Sequence, residues 1–307
     1  MLRQVLPIAT IALFLAACSS SDFEQIADTP EVLAFGAVWS FGPTDVWVTA
    51  ENGRILHYDG TTWSETKLDT SASMLDIWAF APNDIWMVGG ETLAHYDGTS
   101  FTLTDFTQVN PGIEGLAAIW GSSPEDIWVV GTQSTAAHWN GTSWQRFIAA
   151  GTENSDVWGS GPNDVYVVGL FDVAHWDGKS FTNIDTNLFS GAEGVWGFAA
   201  SDVWLASGSD DIAHWDGTEW QVQELDFVAE ASALWGSAPD DLWGVGTFGG
   251  ILHYDGSKWR EVDHQAIGSP FLRLFSDVHG SAPDDVWILG VELGEKGQKP
   301  LLYRHKL

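Results

Sequence analysis

Residues 119–144 read IWGSSPEDIWVVGTQSTAAHWNGTSW, and the pattern of this stretch recurs from residue 38 to the C-terminus. Two aromatic columns mark it. The first is Trp39, Trp78, Trp120, Trp158, Trp196, Trp235 and, in the seventh copy, His279. The second lies eight residues further on in every copy: Trp47, Trp86, Trp128, Tyr166, Trp204, Trp243 and Trp287. An Asp stands two residues before each member of the second column: Asp45, Asp84, Asp126, Asp164, Asp202, Asp241 and Asp285. A His column follows, at His57, His95, His138, His175, His214 and His253, and the seventh copy is read as placing Tyr303 there. Six copies close on Asp-Gly or Asn-Gly and then an aromatic: Trp63, Phe101, Trp144, Phe181, Trp220 and Trp259. Six periods separate Trp47 from Trp287, a span of 240 residues and a mean period of 40. A fixed period of this size with turn signals inside each unit marks a propeller.

Each unit supplies four strands. Val-Trp-Gly-Ser is a short first strand. Pro-x-Asp is a turn, with Pro presetting φ and Asp bonding nearby backbone. The Asp-Ile-Trp-Val-Val-Gly run does not alternate apolar with polar, so the second strand is expected to be buried on both faces. Face-to-face packing of blades does that. Ala-Ala-His-Trp is the third strand, and Asn140-Gly141, like Asp59-Gly60, signals a two-residue hairpin into the fourth. Seven such units make an all-β, seven-bladed propeller of four-stranded antiparallel blades. All 19 Trp fall inside the repeats. Each can bury roughly 150–250 Å², so blade interfaces account for them without a ligand cage.

The N-terminus reads differently. Arg3 precedes an apolar run to Leu15 that is too short to span a bilayer and has the form of a signal peptide. Leu15-Ala16-Ala17-Cys18 resembles a bacterial lipobox, which implies lipidation, palmitate included, at Cys18, the sole cysteine. The expected organisation is a lipoprotein signal peptide with its cysteine at 1–18, a short linker at 19–22 and the propeller at 23–307. Ser19–21 resemble an outer-membrane sorting context. With one cysteine no intrachain disulfide forms. Asp plus Glu number 42 against 12 Lys plus Arg, a net charge of −30, which repels nucleic acid. No Asp-x-Asp-x-Asp-Gly calcium loop is present.

The seventh copy ends at Leu307 without a fourth strand. Counting back from Trp39 by the spacing of complete junctions reaches Phe23, and residues 22–26 read like 180–184. The N-terminal segment is therefore expected to pair with the strand near residues 301–304 and close the ring. The turns between strands 1 and 2 and between strands 3 and 4 are short and uniform and share one face. The other face carries the variable connections, with long ones expected at 104–115, 264–274 and 291–300. Variable loops on a rigid scaffold carry function, so ligand contacts are expected there, at Phe106, Phe171, Asp172, Phe189, Asp210, Phe248 and Phe271.

The His column does not hold a metal: its members come from different blades, and packed sheets stand about 10 Å apart, whereas zinc ligands lie within about 2.3 Å. Asp, His, a hydroxyl and Trp recurring together resemble instead the hydrogen-bonded tetrad of WD40 blades. The VWGSxPxDVW and HWDGxxW repeats resemble a class of bacterial propeller lipoproteins over residues 23–307. More distantly they resemble kelch or galactose-oxidase-type propellers and the Asp-box group, sialidase-like and photosystem-assembly-factor-like. HYDGTTW at 57–63 is one residue short of the Asp-box pattern, so Asp-box functions are not transferred. No acid stands apart from the repeat with a partnering base, and no arginine cluster awaits a substrate carboxylate. The sequence is therefore read as a membrane-anchored binding or scaffold module, a monomer without cofactor, for a protein or polysaccharide ligand in the cell envelope. The alternative is a glycan-directed enzyme or lectin.

Overall fold

The computed structural model describes residues 23–305 apart from 110–114, 150, 152, 190, 226–229, 263–271 and 296. Blade three shows how the repeat becomes structure. Its strands are Leu116–Ser123, Asp126–Gly131, Thr135–Trp139 and Trp144–Ile148, paired antiparallel in chain order. All six residues of DIWVVG are buried, as the absence of alternation requires of a strand covered on both faces. The fourth strand lies at the rim, and only Trp144 and Phe147 of its five residues are not exposed. Seven such four-stranded sheets follow one another around a ring.

The Trp-Gly pair of the first strand explains how blades nest. A Cβ placed on Gly159 would lie 2.7 Å from the Trp120 ring, and one on Gly197 would lie 2.5 Å from Trp158. The ring of one blade thus occupies the space above the glycine of the next. In blades two and five the same space is filled by Phe80, over Gly121, and by Phe198, over Gly236. Trp78 and Trp196 of those blades are released toward the axis. There Trp196 meets His279 at 6.5 Å between centroids, two blades away. Trp39 stacks on His279 at 4.1 Å and meets Trp78 edge-on at 5.1 Å.

The ring closes as the spacing implies. Phe23–Gln25 pairs with the last strand, Gly297–His305, in the register Phe23↔His305, Glu24↔Arg304 and Gln25↔Tyr303. Phe23 is 2% exposed, between Trp243 and His305. This places it where Trp144 stands opposite Trp139 in blade three.

Three expectations need correction. Arg304, not Tyr303, occupies the His column of the seventh blade. It pairs with Trp287 as His138 pairs with Trp128, while Tyr303 lies opposite Ile288 and is buried. The Asp-Gly hairpins are not two-residue turns. Tyr58 pairs with Trp63, leaving four residues between, and the Asp59 carboxylate accepts from the N–H of Thr61 and Thr62. Only the glycine takes positive φ there, 90° at Gly60, whereas the two-residue type I′ turn needs it at both central residues. Finally, 291–300 is no long loop, because strands Asp285–Gly294 and Gly297–His305 stay paired out to Gly294↔Gly297.

Candidate functional site

First strands run from the face of variable connections toward the face of short turns, so every residue's height in the ring can be read from its strand position. Eleven large apolar side chains are exposed among the described residues. Ten of them lie on the variable-loop face; the exception, Val222, is in the rim strand Trp220–Glu224. Single exposed apolar residues are ordinary on a protein surface; here they gather on one face.

The expected contact residues divide. Phe171 and Phe189 are 73% and 101% exposed. Their connections are tied together where the Ala192 N–H donates to the Gly169 carbonyl at 3.2 Å. Asp172, beside Phe171, accepts from Asn183 Nδ2 at 2.9 Å and is half-buried. Asp210 is exposed on blade five. Phe248 is partly exposed on blade six, in a short turn where it holds φ at 56°. Phe106 is a correction: it is fully buried and packs edge-on against Trp144 at 5.0 Å. A short helix, Phe106–Val109, turns its ring under the blade instead of toward a ligand. Phe271 and Cys18 lie outside the described residues. Ile148 and Leu170, 75% and 46% exposed, join Phe171 and Phe189 on this side of the face and were missed from sequence.

The His column is occupied within each blade. Each of the six His Nε2 atoms lies 2.5–2.8 Å from the Asp of its own blade. In the six blades with a His the last partner of the tetrad comes in two forms, whereas in blade seven Ser281 and the Trp287 indole both donate to Asp285. Where the residue two after the first aromatic is Ser, its hydroxyl donates to the Asp, as Ser160 does to Asp164 and Ser237 to Asp241, both at 2.5 Å. Where that residue is Phe, at Phe41, Phe80 and Phe198, the second-column indole donates instead: Trp47 to Asp45, Trp86 to Asp84 and Trp204 to Asp202, at 2.9–3.0 Å. Burial works to raise the Asp126, Asp164 and Asp241 carboxyls, but the His and Ser hydrogen bonds outweigh it and hold them below the usual range. In blade seven Arg304 lies over the Trp287 ring, 5.2 Å from its centroid, with Nη2 3.6 Å from Asp285.

A second feature was not anticipated. Two residues before the first aromatic column the chain has Ala37, Asp76, Ala118, Asp156, Gly194, Ala233 and Asp277. Each acid staples its blade to the next. Asp76 accepts from the N–H of Ile77 and of Ile119, Asp156 from Val157 and Val195, and Asp277 from Val278 and Val38, all at 2.7–2.9 Å. The carboxylates touch an axial cavity on one side and protein on the others. Burial, against the pull of these hydrogen bonds, pushes Asp156 up to about 7 and Asp277 to about 6. Asp76 rises well above its usual range through burial and the charge of Asp156. The cavity has a mouth of about 120 Å³ on the loop face, lined by the three Asp and Glu193. Below it lies a chamber of about 80 Å³ with Trp39, Trp78, Trp196 and His279 in its wall.

No protein-family model matches the chain, and no curated protein matches it. Solved structures match over almost its whole length. YCF48 bound to a D1 peptide aligns with a TM-score of 0.73 at 18% identity, over 95% of this chain and 99% of that one. YCF48 from Cyanidioschyzon merolae aligns at 0.70 and 12%, over 94% and 99%. The WD40 repeats of RRP9 align at 0.71 and 8%, over 92% and 97%. At these identities the likeness defines the fold: the chain is an all-β seven-bladed propeller. Structures built alike include those of YCF48 and of WD40 proteins.

Proposed function

We propose that the protein is an envelope-anchored binding module whose variable-loop face docks a protein partner. The observation that carries this reading is the segregation of exposed apolar side chains, ten of eleven on one face, with Phe171 and Phe189 foremost. The YCF48 neighbour with its D1 peptide supports a protein ligand. The anchor is the lipidated Cys18, in an outer-membrane setting. From Cys18 only residues 19–22 lead to Phe23, and four extended residues reach at most about 14 Å. Phe23 opens its strand at the short-turn face, so that face lies toward the membrane and the loop face away from it. The test is capture from a detergent extract of the envelope by wild-type protein and by Phe171→Asp/Phe189→Asp. Specific capture lost in the double variant supports the reading; capture unchanged by it refutes it.

A saccharide ligand is the second reading. Two clefts at the rim favour it, of about 570 Å³ between blades one and two and about 600 Å³ between blades seven and one. The first combines Trp47, Tyr96 and Phe101 with Ser64 and Thr66, and the second combines Tyr58 and Trp63 with Arg304. Glycan-array binding lost on Trp63→Ala would favour this reading over the first.

A further inference from the structure

We propose that the axial cavity is a receptor for an arginine side chain, which enters from the loop face, pairs with Asp76, Asp156 and Asp277, and lies against the tryptophans below. The source of that arginine, a protein partner, rests on the loop-face reading; the cavity's chemistry does not.

Three features select the occupant. The first is charge. The mouth brings Asp76, Asp156, Asp277 and Glu193 to one opening, in a chain of net charge −30. Each of the six carboxylate oxygens of the three Asp accepts one backbone N–H, which leaves further lone pairs for a cation. The second is extent. Among the described residues no three acidic or histidine side chains converge on a point where a metal could sit. The Asp belong to blades two, four and seven, so their acceptors are spread around the channel. A planar guanidinium with five N–H donors can address spread acceptors where a point charge cannot.

The third is the chamber wall. Trp39, Trp78 and Trp196 line it; Trp39 already stacks one face on His279, and an open indole face attracts a cation within about 6 Å. His279 does not oppose it. It accepts the Ser40 N–H at Nδ1, 3.1 Å away, and burial lowers it to about 3, so the ring is neutral with its proton on Nε2. No described residue accepts from that Nε2–H, although the ring lines the chamber. A water carried in beside the guanidinium would accept it. Chamber and mouth each hold several times the roughly 10–15 Å³ that one water requires, which is room for a side-chain end with water.

The titratable groups facing the channel are Asp76, Asp156, Asp277, Glu193 and His279. The cation requires the carboxylates ionised, so affinity should rise with pH through about 6 to 7, where Asp277 and Asp156 lose their protons. His279 stays neutral throughout.

The experiment uses the wild-type propeller and free capped amino acids, so it does not depend on any partner. Acetyl-arginine N-methylamide is titrated into ¹⁵N-labelled protein and the indole N–H resonances of Trp39, Trp78 and Trp196 are followed, with the citrulline and lysine analogues alongside. The arginine compound should shift these three and bind more weakly at lower pH. Neutral citrulline, of the same shape, should bind at least roughly tenfold more weakly, a difference of about 1.4 kcal/mol. Asp277→Ala should weaken arginine binding while Asp284→Ala, exposed on the short-turn face, should not. Equal binding of citrulline, or channel indoles that do not move, would overturn the proposal even if Asp277→Ala fails to fold. Lysine binding as well as arginine would overturn the selection of a planar cation. Failure here leaves capture by Phe171 and Phe189 untouched, and failure of that capture leaves this titration untouched.

Discussion

Phe23→Ala tests how the ring is closed. The residue is 2% exposed. Its ring meets Trp243 of blade six edge-on at 5.5 Å and His305 of the last strand at 5.1 Å. A buried Phe truncated to Ala ordinarily costs about 3–5 kcal/mol, of which aromatic pairing supplies roughly 0.5–1.5 per contact. The strand that carries it has only three residues and can detach by itself, so the loss cannot exceed what docking that strand is worth. The expected loss is therefore at the lower end, about 3 kcal/mol. At roughly 2–4 °C per kcal/mol for chains of 150–250 residues, the melting temperature should drop by about 6–12 °C. The assay is urea unfolding with the slope checked for constancy. Phe189→Ala, fully exposed on the other face, serves as a control that should stay within about 0.5 kcal/mol. If Phe23→Ala also stays within that margin, the N-terminal strand does not hold the ring and the closure argument is wrong.

Other outcomes follow from the same geometry. In Asp156 the native pKa of about 7 lies above the ordinary 3.8, so the folded state holds a proton that the unfolded chain has lost between those values. Stability from this group is full below about 4 and falls as pH rises through 7. Asp156→Asn, which cannot ionise but keeps only one acceptor oxygen, should therefore gain on wild type by on the order of 1–3 kcal/mol between pH 5 and pH 8; a difference that does not vary with pH would contradict this. Gly159→Ala sets a methyl 2.7 Å from both the Trp120 ring and the Asp164 carbonyl and should cost about 1–3 kcal/mol, as read by urea midpoint. In lipid-anchored protein, a fluorophore on Thr61→Cys should be quenched by headgroup quenchers more than one on Gln298→Cys. Equal or reversed quenching would reject the proposed orientation of the disc.

Much of this molecule is written in its period. The columns are eight residues apart in all seven copies, and both-face burial follows directly from runs such as DIWVVG. Phe23 was legible because junction spacing constrains where a closing aromatic can stand. The register of the last strand was not, because the seventh copy lacks the hairpin that anchors the His column elsewhere; an offset of one residue exchanged Arg304 for Tyr303. The Asp76, Asp156 and Asp277 staples had a signal, since their column holds only Asp, Ala or Gly. It was obscured by the number of acids in the turns. The split between Phe41, Phe80, Phe198 and the serines of the other blades was equally visible, but its meaning required seeing which rings turn to the axis. Loop aromatics were the least legible. Whether Phe106 packs under a blade or Phe189 stands in solvent depends on the path of the connection, which obeys no repeat.

The central claim is that the loop face is the docking surface. Its most direct test is site-specific photo-crosslinking in cells, with the reactive residue placed at Phe189 on the loop face, at Val222 on the rim and at Thr61 on the short-turn face. Crosslinks from position 189 to one defined protein, with none to that protein from 222 or 61, are the expected result. Crosslinks to it from 61 or 222 but not from 189 would contradict the account.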